Sequence, residues 1–370
     1  MNATAPALAG LLLTALAATA AATPPVERLR VPDGFHVEVL HDDVPNARQL
    51  ALGERGTLFA GTRSDGRVWA LTEDGAVAVA SDLRMPSGIA FADGDLYIGA
   101  VCRILRLDDI ETRLDRPPQP VVITDALPDD GHHGWKHLEF GPEGDLWVPV
   151  GAPCNICEEP DPYASILRMD PATGDFEVFA RGIRNTVGFD FHPETGVLWL
   201  SDNGRDRLGD DVPACELNRV PEAGMHFGFP WIHGEDLRDP RFGSGHDPAD
   251  YSPPVLSMQA HTAPLGIAFN PGGAFPERYD GALFIAQHGS WNRSSKVGYR
   301  VIVAFVEDGR VTASEPFLTG FLEGEQAWGR PVDVLFHPDG SLLVSDDRQG
   351  AVYRIRYTPS DHASQESPTP

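Results

Sequence analysis

Leu138-Glu-Phe-Gly-Pro-Glu-Gly-Asp-Leu-Trp-Val148 sets two short apolar runs on either side of a Pro- and Gly-containing turn. Such a stretch reads as a β-hairpin, because β-prone runs flank residues that supply the backbone angles of a tight reversal. The pattern occurs five more times. It spans Leu50–Ala60, Gly88–Ile98, Phe189–Leu200 and Val334–Val344, and it is split in Gly266–Gly273, whose return run Ala282–Ala286 follows an insertion. Several copies go on to a third apolar run, as in Gly66–Leu71, Ala164–Met169 and Gly350–Tyr357. The equivalent leucines are Leu58, Leu96, Leu146, Leu198, Leu283 and Leu343, separated by 38, 50, 52, 85 and 60 residues. Four-stranded propeller blades repeat at about 40–50 residues, and loop insertions account for the longer gaps. The expectation is an all-β, six-bladed propeller in a single domain over residues 23–357. Phe35–Leu40 is expected to be the stray strand that completes the last blade and closes the ring.

Composition supports this reading. The 370 residues include 38 Gly and 33 Pro, far more than average usage, which fits a chain that reverses often. With 42% apolar residues, 18 Phe and 7 Trp, the chain has ample material for a core. The formal charge of −25 argues against nucleic acid and anionic membranes as partners, since both select basic proteins. Lysine is nearly absent: only Lys136 and Lys296 occur, so almost every cation is an arginine. Ala7–Ala22 is an apolar Ala/Leu run ending in small residues, which reads as a signal peptide over residues 1–22 and a periplasmic or secreted location. No later segment suits a membrane span. Residues 358–370 are polar and Pro-containing and read as a disordered tail.

Four cysteines suit an exported protein with one or two disulfides. Cys154 and Cys157 form a C-x-x-C without the following His of a haem site or the second pair of a zinc ribbon, so a structural staple is expected. Three pairings of the four cysteines remain open.

In a propeller, ligand chemistry collects where blade loops converge on the axis, so residues just before each inner strand are the candidates. Those positions hold Arg48, the cluster His132-His133-Gly-Trp-Lys136-His137, the pair Arg184-Asn185, and Arg330, while His288-Gly-Ser-Trp291 follows the second strand of repeat five. Several arginines meeting at one mouth of an acidic protein describe a site for an anion, because guanidinium binds carboxylates through two parallel hydrogen bonds. His132 and His133 are adjacent candidates for a metal pair. Neighbours on a strand face opposite ways, so a single histidine acting as general base is the more economical reading. The segment Asp202–Glu216 carries five acids in a Gly-containing loop, the oxygen-rich composition that a hard cation such as Ca²⁺ requires.

Taken together, Gly131-His-His133 with the Leu138–Trp147 hairpin, Gly182-Ile-Arg184-Asn185-x-x-Gly188, Asp202-Asn-Gly204…Asp211…Glu216-Leu-Asn218…Gly228-Phe-Pro230 and Gly329-Arg330-Pro…Ser345-Asp346-Asp347 resemble the soluble quinoprotein sugar dehydrogenases. The closing motif is most similar to the sorbosone and pyranose branch, and the resemblance runs from about Val31 to Tyr357. It implies pyrroloquinoline quinone (PQQ) and Ca²⁺ as cofactors, a sugar as substrate and a downstream electron acceptor. Oxidation would turn an aldose C1 hydroxyl or a sorbosone-type aldehyde into a lactone or acid. By the same resemblance His133 is the catalytic base and Arg184 and Asn185 line quinone and substrate. Arg48, His288 and Arg330 line the cofactor, the carbonyls of Gly204 and Arg205 hold its Ca²⁺, and Glu216 with Phe227 forms a second Ca²⁺ site. The family's glucose-type members set a Lys and a second Arg against the quinone, where His288 and Val332 stand here. Two other functions share the architecture: a Ca²⁺-dependent propeller lactonase, and a propeller binding module without catalysis.

Overall fold

Six four-stranded antiparallel sheets follow one another along the chain in a computed structural model that describes residues 23–359. The expected signal peptide, and the expected tail beyond Pro359, lie outside the described residues. Each quoted hairpin forms the two inner strands of a blade, as in Leu146–Val150 paired with Glu139–Phe140, and Leu58–Thr62 paired with Ala47–Leu52. The turn in the deciding stretch closes with Gly141 N–H donating to the Asp145 carbonyl at 2.8 Å, and Gly144 adopts φ +86°, a left-handed angle that a residue with a Cβ resists.

The sixth blade is closed from the other end of the chain. Phe35–His41 pairs with Ala351–Tyr357, with Phe35 opposite Tyr357 and Val39 opposite Tyr353. Phe35 fixes that closure by packing edge-on against Phe275 and Phe317, with ring centroids 4.8 and 5.0 Å apart. Burying one such side chain contributes about 1.5–3 kcal/mol. The long gaps between repeats are insertions. Between Leu198 and Leu283 the chain adds the small hairpin Ile232–His233/Leu237–Arg238, and between Leu283 and Leu343 it adds a loop after His288 and the hairpin Leu322–Glu323/Gln326–Ala327. Helix among the described residues is confined to short 3₁₀ turns, and none is long and apolar enough to cross a membrane.

Neighbouring blades pack through apolar faces and are also latched by buried polar side chains around the axis. Gln49 Oε1 accepts from the N–H groups of Ile89 and Leu138, both at 2.9 Å. Asp190 Oδ2 accepts from Phe269 N–H at 2.7 Å, and Asp333 Oδ2 accepts from Leu50 N–H at 2.8 Å. Each bond runs from an inner strand to the backbone of another blade, so these groups satisfy N–H donors that no sheet ladder reaches.

Candidate functional site

An antiparallel hairpin brings the start of its first strand and the end of its second to the same edge, so each blade offers two short segments to one mouth of the axis. The cavity there has a volume of about 360 Å³, within the range of small-molecule sites. Arg48, His133, Arg184, Asn185, Gly204, His288 and Arg330 all line it, and Arg63, His132, Trp135, Asn203, Asp206 and His261 join them. Arg205, Glu216 and Phe227 lie outside it.

His133 is buried at φ +52° in a turn, and its Nδ1 lies 2.8 Å from the Ala152 carbonyl. A carbonyl accepts only, so Nδ1 carries the proton and Nε2 keeps its lone pair. Burial, then the charge of Arg184 and the neighbouring His132, hold the imidazole well below its ordinary pKa. His133 is therefore a neutral base at pH 7. Residues 131–134 form a turn and not a strand, so the expected alternation of His132 and His133 fails: their rings lie 4.1 Å apart and both line the cavity.

On one side stand Arg48, His288, Arg330 and Asp347. Arg48 Nη1 donates to Asp347 Oδ2 at 3.1 Å, and the His288 Nε2 pairs with Asp347 Oδ1 at 2.9 Å. Burial pushes His288 down to about 4 against the pull of Asp347. Burial works to raise the Asp347 carboxyl, but His288, Arg48 and Arg330 hold it below the ordinary carboxylate range. Arg330 donates to the carbonyls of His288 and Gly289, both at 3.2 Å. Arg48 Nε is buried without a partner, as are Trp135 Nε1 and Asn185 Oδ1.

Arg184, across the cavity, is fully engaged. Its Nε donates to the Asn155 carbonyl at 2.9 Å, Nη1 to the carbonyls of Asn203 and Gly204 at 3.0 and 3.2 Å, and Nη2 to Asn155 Oδ1 at 3.0 Å and Asp206 Oδ2 at 3.4 Å. That accounts for all five guanidinium N–H groups. Arg184 thus contributes charge and position, with no donor left to fork a ligand carboxylate.

The five acids of Asp202–Glu216 do not gather at one point, although Asp202 and Glu216 lie opposite each other on paired strands and Asp202 and Asp206 both bond Arg184. Asp202 accepts the backbone N–H groups of Arg184 and Asn185, Asp210 and Asp211 bond Ser294 and Arg293, and Glu216 accepts from Gly234 N–H and the Asn218 amide. Arg205 pairs with Asp239. Among the described residues no group of three or more His, Cys, Asp or Glu side chains is placed to hold a metal ion. A cation at Gly204 would have to draw on backbone carbonyls in place of a carboxylate cluster. Lys136 is buried away from the cavity with Nζ on the Gly134 carbonyl at 3.2 Å, and burial lowers it to about 8. The Cys154–Cys157 disulfide is the expected staple, and Cys102 and Cys215 are free.

Arg63 and Asn203, which line the cavity, and Asp347, which bonds Arg48 and His288, do not stand before an inner strand and so carry no such signal in the sequence. All three follow the second strand of a blade, after Leu58–Thr62, Leu198–Asp202 and Leu342–Asp346. His288, which was found, obeys the same rule after Leu283–Gln287.

A family model described as TrAA12-like matches residues 244–358. A Borreliella burgdorferi protein named only as uncharacterized is 34% identical over 354 residues, covering 92% of this chain and 93% of that protein. A PQQ-dependent pyranose dehydrogenase of Coprinopsis cinerea is 31% identical over 126 residues, 28% of this chain and only 16% of the length of that enzyme. Among solved structures, the calcium structure of a Trichoderma reesei family AA12 enzyme superposes with a TM-score of 0.74 at 19% identity, covering 89% of this chain and 97% of that one. The holo PQQ domain of the Coprinopsis cinerea pyranose dehydrogenase gives 0.73 at 21% identity, with 89% and 97% covered.

Proposed function

We propose, from the premise that the chain belongs to the soluble PQQ sugar dehydrogenase-like family, that it oxidises a sugar at an aldose C1 hydroxyl or a sorbosone-type aldehyde, using PQQ and Ca²⁺. The observation that carries this reading is a neutral histidine with a free Nε2, set in a cavity lined by four arginines and a single carboxylate. The residues fit a small polycarboxylate. The orphaned Arg48 Nε and the remaining N–H groups of Arg330 and Arg63 are unspent donors at the right charge, and the volume suits a fused-ring ligand. The quinone, when bound, supplies the two-electron acceptor that no amino-acid side chain provides.

The chain's own residues do the rest. His133 Nε2 takes the proton of the substrate hydroxyl, which is the C1 hydroxyl of an aldose or a hydroxyl of the hydrate that an aldehyde forms with water, while Nδ1–H stays on the Ala152 carbonyl, which fixes the tautomer and aims the ring. Arg48 and Arg330 hold carboxylates, and Asp347 fixes the direction of Arg48. Asn185 Oδ1 is an unpaired acceptor that suits a sugar hydroxyl. Arg184 sets a fixed positive charge beside the base, where developing negative charge is stabilised. The carbonyls of Gly204 and Arg205 are the proposed Ca²⁺ ligands, the former shared with Arg184 Nη1, and Glu216 with Phe227 is the proposed second site, where a cation would displace the Gly234 and Asn218 donors from the Glu216 carboxylate. An exported location accords with the Cys154–Cys157 disulfide.

The test is dye reduction by purified protein across a panel of aldoses and aldehydes, with PQQ and Ca²⁺ added singly and together. Reduction that requires both supports the reading. Lactone hydrolysis with Ca²⁺ alone would point to a lactonase, and silence in both assays to a binding module.

A further inference from the structure

We propose that Asn155, carried in the loop that the Cys154–Cys157 disulfide closes, is a positioning residue that locks the Arg184 guanidinium beside the base; this rests on the sugar-oxidation reading of the same cavity. Asn155 does not line the cavity, so it acts only through what it holds. Its backbone carbonyl and its Oδ1 take two of the five Arg184 N–H groups, at 2.9 and 3.0 Å. The same side chain grips the next wall residue from both sides. Oδ1 accepts from Asp206 N–H at 2.8 Å, and Nδ2 donates to the Asp206 carbonyl at 3.0 Å.

The segment leading into the disulfide holds the other two parts of the site. Ala152 N–H donates to the Arg184 carbonyl at 2.9 Å, and the Ala152 carbonyl receives His133 Nδ1–H at 2.8 Å. Base, arginine backbone and arginine side chain are therefore all fastened to residues 152–155, and the disulfide to Cys157 stiffens that stretch. An arginine carries several rotatable bonds and, freed of Asn155, would turn toward Asp206, already 3.4 Å from Nη2. A four-residue loop with a small amide at its second position is a compact way to stop that rotation. It also gives the C-x-x-C a role beyond stapling.

The test compares Asn155→Ala, Asn155→Asp and the double variant Cys154→Ser/Cys157→Ser with the parent chain. Asn155→Ala is expected to lower kcat about 10- to 100-fold, the scale of a misplaced catalytic group. The dissociation constant for PQQ, read on the cofactor-free protein by quenching of Trp135 and Trp291, should stay essentially at the parent value. Asn155→Asp keeps the acceptors for Arg184 and Asp206 N–H, and is expected to restore most of the turnover. The double cysteine variant should lose turnover in the same parameter, but less. On cofactor-free protein, Asn155→Ala should lower the melting temperature of the parent chain, and should lower it by less in an Arg184→Ala background, where only the two bonds to Asp206 remain to be lost. A parent-like kcat in Asn155→Ala, equal losses in the Ala and Asp variants, or additive melting shifts each overturn the proposal. If the parent chain reduces no dye with PQQ and Ca²⁺, the sugar-oxidation reading fails, while the melting cycle still decides the lock on Arg184.

Discussion

Two cavities lie along the axis of this propeller, similar in size and opposite in character. The one at the arginine mouth, about 360 Å³, is lined by Arg48, Arg63, Arg184 and Arg330. Farther along the same inner strands lies one of about 390 Å³, lined by Glu139, Asp190 and Asp333 with Gln49 and His137. Arg48 and Gln49 are consecutive residues, yet one faces each cavity. In the acidic cavity all but one of these groups are committed: Asp190, Gln49 and Asp333 Oδ2 bond the backbone of neighbouring blades, Glu139 shares a hydrogen bond with Asp190, and Asp333 Oδ1 alone is left without a partner. At the arginine mouth, donors and acceptors are left over, on Arg48, Trp135 and Asn185. The lesson is that charge and volume do not make a site. Unspent hydrogen-bonding capacity on several residues at once does, where a single leftover carboxyl oxygen does not.

The sharpest way to break that contrast is to remove the base. His133→Ala should cost about 10²–10⁴ in kcat, the usual contribution of general base catalysis, with PQQ affinity retained. Retained turnover would shift the catalytic role to another residue at this mouth. Next come the spare donors. Arg330→Ala should weaken PQQ binding by about 1.5–3 kcal/mol, roughly 10- to 150-fold, as expected when a charged hydrogen-bond partner is lost. A change in kcat alone would place Arg330 on the substrate and not the cofactor. Gly151→Ala probes the seat of His133, because a Cβ there would meet His133 Cβ at 2.6 Å and its carbonyl oxygen at 2.8 Å. Turnover should fall about 10-fold or more as the ring is displaced; an unchanged rate would mean that the turn yields freely. The acid limb of kcat/KM offers a gentler check. The base works only when unprotonated, and burial, Arg184 and His132 lower its pKa, so activity should persist below pH 6.5 and fall only at more acidic pH. A midpoint at or above 6.5 would contradict a buried His133.

The architecture was legible because hairpins are local. Each turn is written within about a dozen residues, as in Leu138–Val148, and even the closing strand Phe35–His41 carries its own alternating pattern. The placement of Arg48, His133, Arg184, Asn185 and Arg330 at this mouth was legible too, since a strand start is visible in sequence and a hairpin fixes which mouth it faces, while His288 stands at the end of a second strand, on the same edge. What stayed hidden depends on contacts between distant segments. Asp347 orients Arg48 from 299 residues away, and Asn155 binds Arg184 from 29 residues away. His132 and His133 do not alternate as strand neighbours would, because His133 takes φ +52° in a turn. The acidic run Asp202–Glu216 suggests one ion, but Asp202 and Asp206 both turn to Arg184, Glu216 opposite Asp202 turns to Gly234 and Asn218, and Asp210 and Asp211 turn to Ser294 and Arg293.

The acidic cavity makes the smallest and most specific prediction, because its groups should matter to folding and not to catalysis. Burial raises Glu139 well above the ordinary carboxylate range, helped by Asp190, and raises Asp190 to about 6 and Asp333 to about 7. Groups with raised folded-state pKa values bind protons on folding, so their contribution is fully present below the unfolded pKa of about 4 and is lost as pH rises toward 7. The melting temperature should therefore decline between pH 5 and pH 8. Asp333→Asn keeps an acceptor for Leu50 N–H and removes the charge, so it should flatten that decline. A gain of 1 kcal/mol moves the melting temperature by about 2–4 °C in a domain of 150–250 residues, and a chain of this length should move by about 2 °C at pH 8 and hardly at all at pH 5. Turnover per folded molecule should stay put. If Asp333→Asn instead abolished turnover without changing stability, the two cavities would be one functional unit, and the separation drawn between spent and unspent groups would fall.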